Sequence, residues 1–511
     1  MQAFFLKEGF FLVFYSRKLA SNFQKMSTDI KALEPQILWG HFADLNAVPR
    51  PSKKEERVIK FIQDFGKQLN LETLTDQAGN VIIKKPASAG MENRKTVVMQ
   101  GHLDMVHQKN ADTVFDFDSQ GIDMYIDGDW VKARGTTLGA DNGLGVAAIM
   151  AVLSSTDIAH PPIEALFTID EETGMTGAME LDASLIDGKI LLNLDTEEDD
   201  EIGIGCAGGV DITASRSYQE EPTPENVKAY QIAITGLQGG HSGMDIHKGL
   251  GNANKLMNRI LFDGFTNYGL RISSIQGGSL RNAIPRESFA TFVVDIATES
   301  AFLSDIQDKI DAILNEFKNL EPNLKIEITE TSLPNHVMEL GVQEGITKAI
   351  YAALNGVYRM SPDVEGLVET SNNIAKVTIA NGDLKVECLT RSSSDSSKWD
   401  LANSLQSCFE LAGCEIGFSG DYPGWLPNID SEILNILVSS YEKLFNEKPH
   451  VAACHAGLEC GILGEHFPEM DMISFGPNIL GAHSPDEKAQ ISSSQKFWKL
   501  LLEVLKSIPK A

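Results

Sequence analysis

The sequence predicts an α/β fold with an α+β domain inserted into it, and three observations lead there. Strand-like and helix-like runs alternate from about residue 30 onward. Several of the strand-like runs lead directly to acidic residues or histidine, as Thr96-Val97-Val98-Met99 does before His102. The texture changes after Gly205-Cys206-Ala207-Gly208-Gly209, and it returns beyond Gly420-Asp421-Tyr422-Pro423-Gly424, which has the composition of a linker.

In the first part, Ile59 to Leu69 reads as an amphipathic helix and Leu144 to Leu153 as an apolar, alanine-rich one. Glu164-Ala165-Leu166-Phe167-Thr168-Ile169 and Ile190-Leu191-Leu192-Asn193-Leu194 read as buried strands, each running into acidic residues. In open α/β sheets ligands gather at the carboxyl ends of strands. The middle part reads as strand 229–235, helix 253–262, strands 270–275 and 289–296, helix 303–317 and strand 324–329. A similar series recurs: helix 343–354, strands around 375–379 and 384–389, helix 398–412 and strand 414–418. That recurrence suggests a duplicated α+β unit. Met472-Ile473-Ser474-Phe475 then reads as a strand before the loop carrying His483. The expected layout is one split α/β domain, 26–208 and 425–511, with an inserted domain at 209–424.

Residues 1–25 stand apart as an N-terminal extension. Gly9-Phe10-Phe11-Leu12-Val13-Phe14-Tyr15 is an apolar patch between Lys7 and Arg17-Lys18. It is too short to span a bilayer and lacks a small-x-small cleavage site. The segment reads as disordered or as a mis-assigned start, with Met26-Ser27-Thr28-Asp29 as the natural beginning and the cytoplasm as the expected location.

The 511 residues can bury a large core, and 42% hydrophobic with 22% charged residues is ordinary globular composition. A net charge of -28 argues against nucleic acid or anionic membrane as partner, because phosphate binding needs a basic surface. The six cysteines form no C-x-x-C pair, which argues against a zinc ribbon or a thioredoxin-type site. Buried thiols in a reducing compartment fit better than a disulfide framework.

The chemistry lies in scattered carboxylates and histidines. His102-Leu103-Asp104 puts two side chains on one face of an extended backbone. A metal-ligating histidine commonly donates its other N–H to a carboxylate, a role open to Asp104. Asp141, in Gly139-Ala140-Asp141-Asn142-Gly143, has the ordinary reading of a helix N-cap. Its two oxygens could instead bridge two metals. Of Glu171-Glu172, one could ligate a metal while the other serves as general base. Asp195 ends a strand, whereas the acidic run Thr196 to Glu201 reads as a solvated loop. His483, in Gly481-Ala482-His483-Ser484-Pro485-Asp486, is by itself an ordinary loop histidine. No G-x-S-x-G elbow or P-loop is present.

Taken in order, Gly101-His102-Leu103-Asp104-Met105-Val106, Gly139-Ala140-Asp141-Asn142-Gly143, Asp170-Glu171-Glu172-Thr173-Gly174, Asn193-Leu194-Asp195 and Gly481-Ala482-His483-Ser484-Pro485 closely resemble the M20 metallopeptidase family. Within it the likeness is to the aminoacyl-histidine dipeptidases, and it covers residues from about 30 to 511. The resemblance implies a split zinc-peptidase catalytic domain, a mixed sheet flanked by helices, with an inserted α+β lid. It implies two zinc ions per subunit, with cobalt or manganese as substitutes that such N/O ligands would accept. His102, Asp141 and Asp195 would hold one ion and Asp141, Glu172 and His483 the other. Glu171 would be general base and acid for the attacking water, and Asp104 would orient His102. On the lid, His241 in Gly239-Gly240-His241-Ser242-Gly243 would stabilise the oxyanion. Asn282, Arg391 and the Gly457 backbone would hold the substrate's C-terminal end, Arg391 through its planar fork. From the residues alone, Arg391 and His241 read as a surface arginine and a turn residue. The implied activity is hydrolysis of unblocked dipeptides, Xaa-His included, by a homodimer. The alternatives are an M20 amidohydrolase acting on N-acyl amino acids and a non-catalytic metal- or peptide-binding protein.

Overall fold

The computed structural model describes residues 29–511, so the N-terminal extension lies outside the described residues. The chain divides into two compact units. The first takes the residues up to Ile204 with Asn428–Ala452 and Ile462–Ala511; the second takes Gly205–Pro427 with Ala453–Gly461. Among the described residues no helix is long and apolar enough to cross a membrane. The six cysteines form no disulfide; Cys408 and Cys454 are partly exposed and the other four are buried.

The first unit is built on a mixed eight-stranded sheet. Its order is Glu72–Thr75, Val81–Lys85, Ile163–Thr168, Val97–His102, Ile190–Asn193, Asp471–Ser474, Glu201–Cys206 and His450–Cys454. The four central strands, Ile163–Thr168 to Asp471–Ser474, run parallel. They are apolar and buried along nearly their whole length, as strands covered on both faces must be. Their carboxyl ends therefore share one edge, and each leads to a predicted site residue. The apolar helix spans Ala140–Ser154, and Leu144 to Leu153 are buried all round. Its first turn is irregular, with Asp141 and Asn142 outside helical φ/ψ. Gly145 permits close approach there: a Cβ would strike the Leu194 carbonyl.

The second unit is one nine-stranded sheet. The main path is Lys325–Thr331, Val227–Thr235, Ser288–Asp295, Arg271–Gly277, Val368–Ala380, Asp383–Ser392, Gly208–Ser217 and Glu415–Tyr422, with Gly356–Met360 pairing Val368–Ala380. Two quartets of strands share the same order, fourth-first-third-second, and meet antiparallel at Arg271–Gly277 and Val368–Ala380. The helices Ala253–Tyr268, Glu299–Phe317, Leu340–Ala352 and Asp395–Glu410 contribute to one shared core with Phe292, Ile374 and Val386. The duplication is thus present, with two corrections.

The first strand of the second quartet is Gly208–Ser217, which the sequence reading missed because its leading glycines look like a break. The Gly420-to-Gly424 stretch is also more than a linker. Residues through Tyr422 belong to the edge strand, which bulges at Gly420 (φ +57) and resumes pairing at Tyr422 with Gly209. A glycine at the bulge makes that detour possible.

Candidate active site

In the first unit, the strand ends bring the predicted residues together. His102 is the last residue of its strand and is 1% exposed. Its Nε2 lies 3.1 Å from Asp141 Oδ1 and 3.6 Å from Asp195 Oδ1. His483 Nε2 lies 3.1 Å from Asp141 Oδ2 and 3.0 Å from Glu172 Oε2. Each Asp141 oxygen thus faces a different histidine. Two overlapping sets, His102-Asp141-Asp195 and Asp141-Glu172-His483, have the spacing of metal ligands.

Asp104, fully buried, joins this cluster to the Glu171-Glu172 turn. Its Oδ1 accepts the Glu171 N–H at 3.0 Å and its Oδ2 the Glu172 N–H at 3.3 Å. His102 Nδ1 stands 3.3 Å from Asp104 Oδ1, close enough for charge pairing though outside good hydrogen-bond geometry. Burial pushes the Asp104 carboxyl upward, but His102, Ser52 and the Glu171 N–H outweigh it and hold it below its usual range. The turn itself is shaped by Asp170 (φ +57), which accepts from Lys53, Thr173 and Thr176.

The donor set fits divalent metal. With bonds of about 2.0–2.2 Å, neighbouring tetrahedral ligands sit about 3.3 Å apart. The four N···O separations above, 3.0 to 3.6 Å, bracket that value. Among the described residues the buried Glu172 Oε1 has no hydrogen-bond partner. Hydrogen bonds to Asp141 and Glu172 push His483 up to about 11. Burial, then the charges of Asp141, Glu487 and Glu172, push Glu197 up to about 8. Such crowding of buried negative charge calls for compensating cations.

Three contributors escaped the sequence reading. Glu487, 2% exposed, accepts the N–H groups of Leu138, Gly139, Ala140 and Asp141 at 2.7 to 3.3 Å. It does the capping that the ordinary reading gave to Asp141, whose carboxylate is thereby left for the histidines. Buried Arg50 donates to the carbonyls of Leu103, Asp104 and Gly139, tying the His102 segment to the Asp141 loop. Glu197 is half-buried rather than part of a solvated loop, because Ile479 N–H bonds its carbonyl and draws the segment inward. The only hint in sequence was Glu487's position four residues after His483.

The second unit holds the other predicted residues. His241 Nδ1 accepts the N–H groups of Gly243 and Met244 at 3.2 and 3.1 Å, so the ring proton belongs on Nε2. Burial, then the neighbouring Arg391 charge, hold His241 below the usual histidine range, which keeps it neutral. The exposed Asn282 sits beside it: its carbonyl accepts the Ser242 N–H at 2.8 Å, and His241 pairs with Ala283. Arg391 is 4% exposed, not a surface arginine, and its Nε faces Ser242 Oγ at 3.4 Å. Gly457 lies two residues from His455, which bonds Ser371 Oγ at 2.8 Å and is pushed down to about 3 by burial and then Arg391.

Residues 98–507 match the model of the family described as Peptidase family M20/M25/M40. The chain belongs to that family. It is 43% identical over 482 residues to the cytosol non-specific dipeptidase of Escherichia coli (strain K12), covering 94% of this chain and 99% of that protein. The crystal structure of aminoacylhistidine dipeptidase from Vibrio alginolyticus superposes with a TM-score of 0.89 at 45% identity, over 94% of this chain and 98% of that one. The aminopeptidase PepT of Bacillus cereus, at 15% identity and a TM-score of 0.55 over 94% and 100% of the two chains, shares the fold. This M20 chain is thus a peptide hydrolase, and its family implies metal ions.

Proposed function

We propose that this chain is a cytoplasmic dizinc dipeptidase that hydrolyses unblocked dipeptides, Xaa-His among them, with broad tolerance and as a homodimer. The observation that carries the reading is the divided Asp141 carboxylate, one oxygen toward His102 and the other toward His483. The two relatives at 43% and 45% identity, both named as dipeptidases, support the substrate class.

His102, Asp141 and Asp195 would hold one ion, and Asp141, Glu172 and His483 the second. When bound, the pair supplies Lewis acidity that makes water acidic and the scissile carbonyl electrophilic. Glu171 takes the proton of the attacking water and returns it to the departing amine. Asp104 serves that step by fixing the Glu171 backbone and the His102 ring together. His241, neutral with its proton on Nε2, is suited to donate to the carbonyl oxygen as negative charge develops there. Asn282, Arg391 and the Gly457 backbone would receive the free carboxylate, which favours short substrates with an open C-terminus.

Zinc-loaded protein should release histidine from an Xaa-His dipeptide and leave its N-acetylated form nearly untouched. Preference for the acetylated form would give the amidohydrolase reading instead, and no turnover across a dipeptide panel would sink both. Glu171→Gln should keep its metal yet lose about 10²–10⁴-fold in kcat, the range of general-base catalysis. Metal loss in that variant would mean that Glu171 is a ligand.

A further inference from the structure

Arg391 does not hold its own direction. Its guanidinium has one close partner among the described residues, the Tyr422 hydroxyl, which accepts from Nη1 at 2.8 Å; the Ser242 contact is longer, at 3.4 Å. Among the described residues Nη2 has no hydrogen-bond partner. Tyr422 reaches Arg391 across an intervening strand. In the register, Arg391 faces Gly209 on one side and Tyr422 faces the same Gly209 on the other. Only the missing side chain lets the phenol cross: a Cβ at Gly209 would lie 2.8 Å from the Tyr422 ring and hydroxyl oxygen.

The tyrosine is anchored in turn. Buried Lys398 donates to the Tyr422 carbonyl at 2.7 Å, and pairs with Asp395 of its own helix at 2.8 Å and at 2.7 Å with Asp421, inside the bulge that precedes Tyr422. Lys398 thus fixes the backbone, Gly209 clears the path and the phenol sets the guanidinium.

We propose that Tyr422 is a positioning residue that aims the Arg391 fork at the substrate's terminal carboxylate, and so sets selectivity for substrates with a free C-terminus. Two of the fork's three nitrogens are engaged within the protein, leaving Nη2 for the anion. This inference rests on the carboxylate-binding reading of Arg391. Holding a long, rotamer-rich side chain in place lowers the entropy lost on binding, so the effect belongs in KM.

The test compares zinc-loaded wild type and Tyr422→Phe on a dipeptide and on the same dipeptide with a C-terminal amide. A hydrogen bond to a charged group corresponds to roughly 10- to 100-fold. Tyr422→Phe should raise KM for the free-acid dipeptide about 10-fold, with kcat within about 3-fold and turnover of the amide unchanged. In an Arg391→Met background the same change should add nothing, since the tyrosine acts through the arginine. Gly209→Ala should reproduce the phenotype by displacing the ring. Wild type that prefers the free acid, with Tyr422→Phe keeping the full preference at an unaltered melting temperature, overturns the role of Tyr422. Wild type that treats acid and amide alike overturns the reading of Arg391, and this inference with it. Loss of activity on acid and amide equally, with a lowered melting temperature, would show a purely structural tyrosine and also overturn it.

Discussion

The two functional clusters are organised on opposite principles. In the first unit, carboxylates and histidines from strand ends and from the start of the apolar helix face one another at 3.0 to 3.6 Å, crowding negative charge into a small space. In the second unit, His241 rests on backbone N–H groups, Arg391 on a phenol and a serine, and His455 on Ser371. Those contacts hold the side chains in place, and burial with the Arg391 charge keeps both histidines neutral. On the proposed reading, one region is completed by ions, and the other is assembled in advance for a substrate. A metal centre can draw its final order from the metal, whereas recognition of a small substrate gains from donors that are already fixed.

The largest break in this contrast should come from Asp141→Ala. Removing the shared carboxylate should empty both ion sites and take dipeptide turnover to background, read as metal per chain by elemental analysis. Retention of two ions would mean that Asp141 does not bridge. His241→Ala should leave metal content and melting temperature unchanged while lowering kcat about 10²–10³-fold, the usual effect of removing an oxyanion donor. A change in metal content there would erase the distinction between the regions.

The smallest effect sharpens the comparison through protons. In the metal-free protein His483 is held up to about 11, so at pH 7 it carries a proton that a metal must displace. Zinc titrated into metal-free protein at pH 7 should therefore release protons, read as a calorimetric heat that depends on the buffer's ionisation enthalpy. Because the protonated form competes with metal, apparent affinity should rise as pH rises toward 11. His241→Ala should release as many protons as wild type.

The residues proposed to face metal were legible in sequence because they combine two local signals, an apolar strand and the acid or histidine that follows it. His102, Glu171, Glu172 and Asp195 all have that form; Asp141 and His483 needed the ordered motif around them. The supporting residues have no such local mark. Arg50 stands between two prolines and Glu487 in a polar loop, and residues far along the chain close over both. Tyr422 was hidden in a Gly-Pro stretch with linker composition, although the bulge there keeps it in the sheet. The strand Gly208–Ser217 was lost for a related reason. Its glycines serve close approach between neighbours, which a one-dimensional pattern cannot tell from a break.

The strand Asp471–Ser474 lies inside the first unit's sheet, between Ile190–Asn193 and Glu201–Cys206, and His483 and Glu487 follow it. During synthesis, the ribosome has therefore exposed most of the chain before the central gap can be filled. Until then the Asp141 loop lacks the carboxylate that pins its N–H groups, and the proposed second ion site lacks His483. On the proposed reading, the second ion site is completed late in the life of the nascent chain, and a transcript cut short near its end would yield a protein with much of its sheet but without that site.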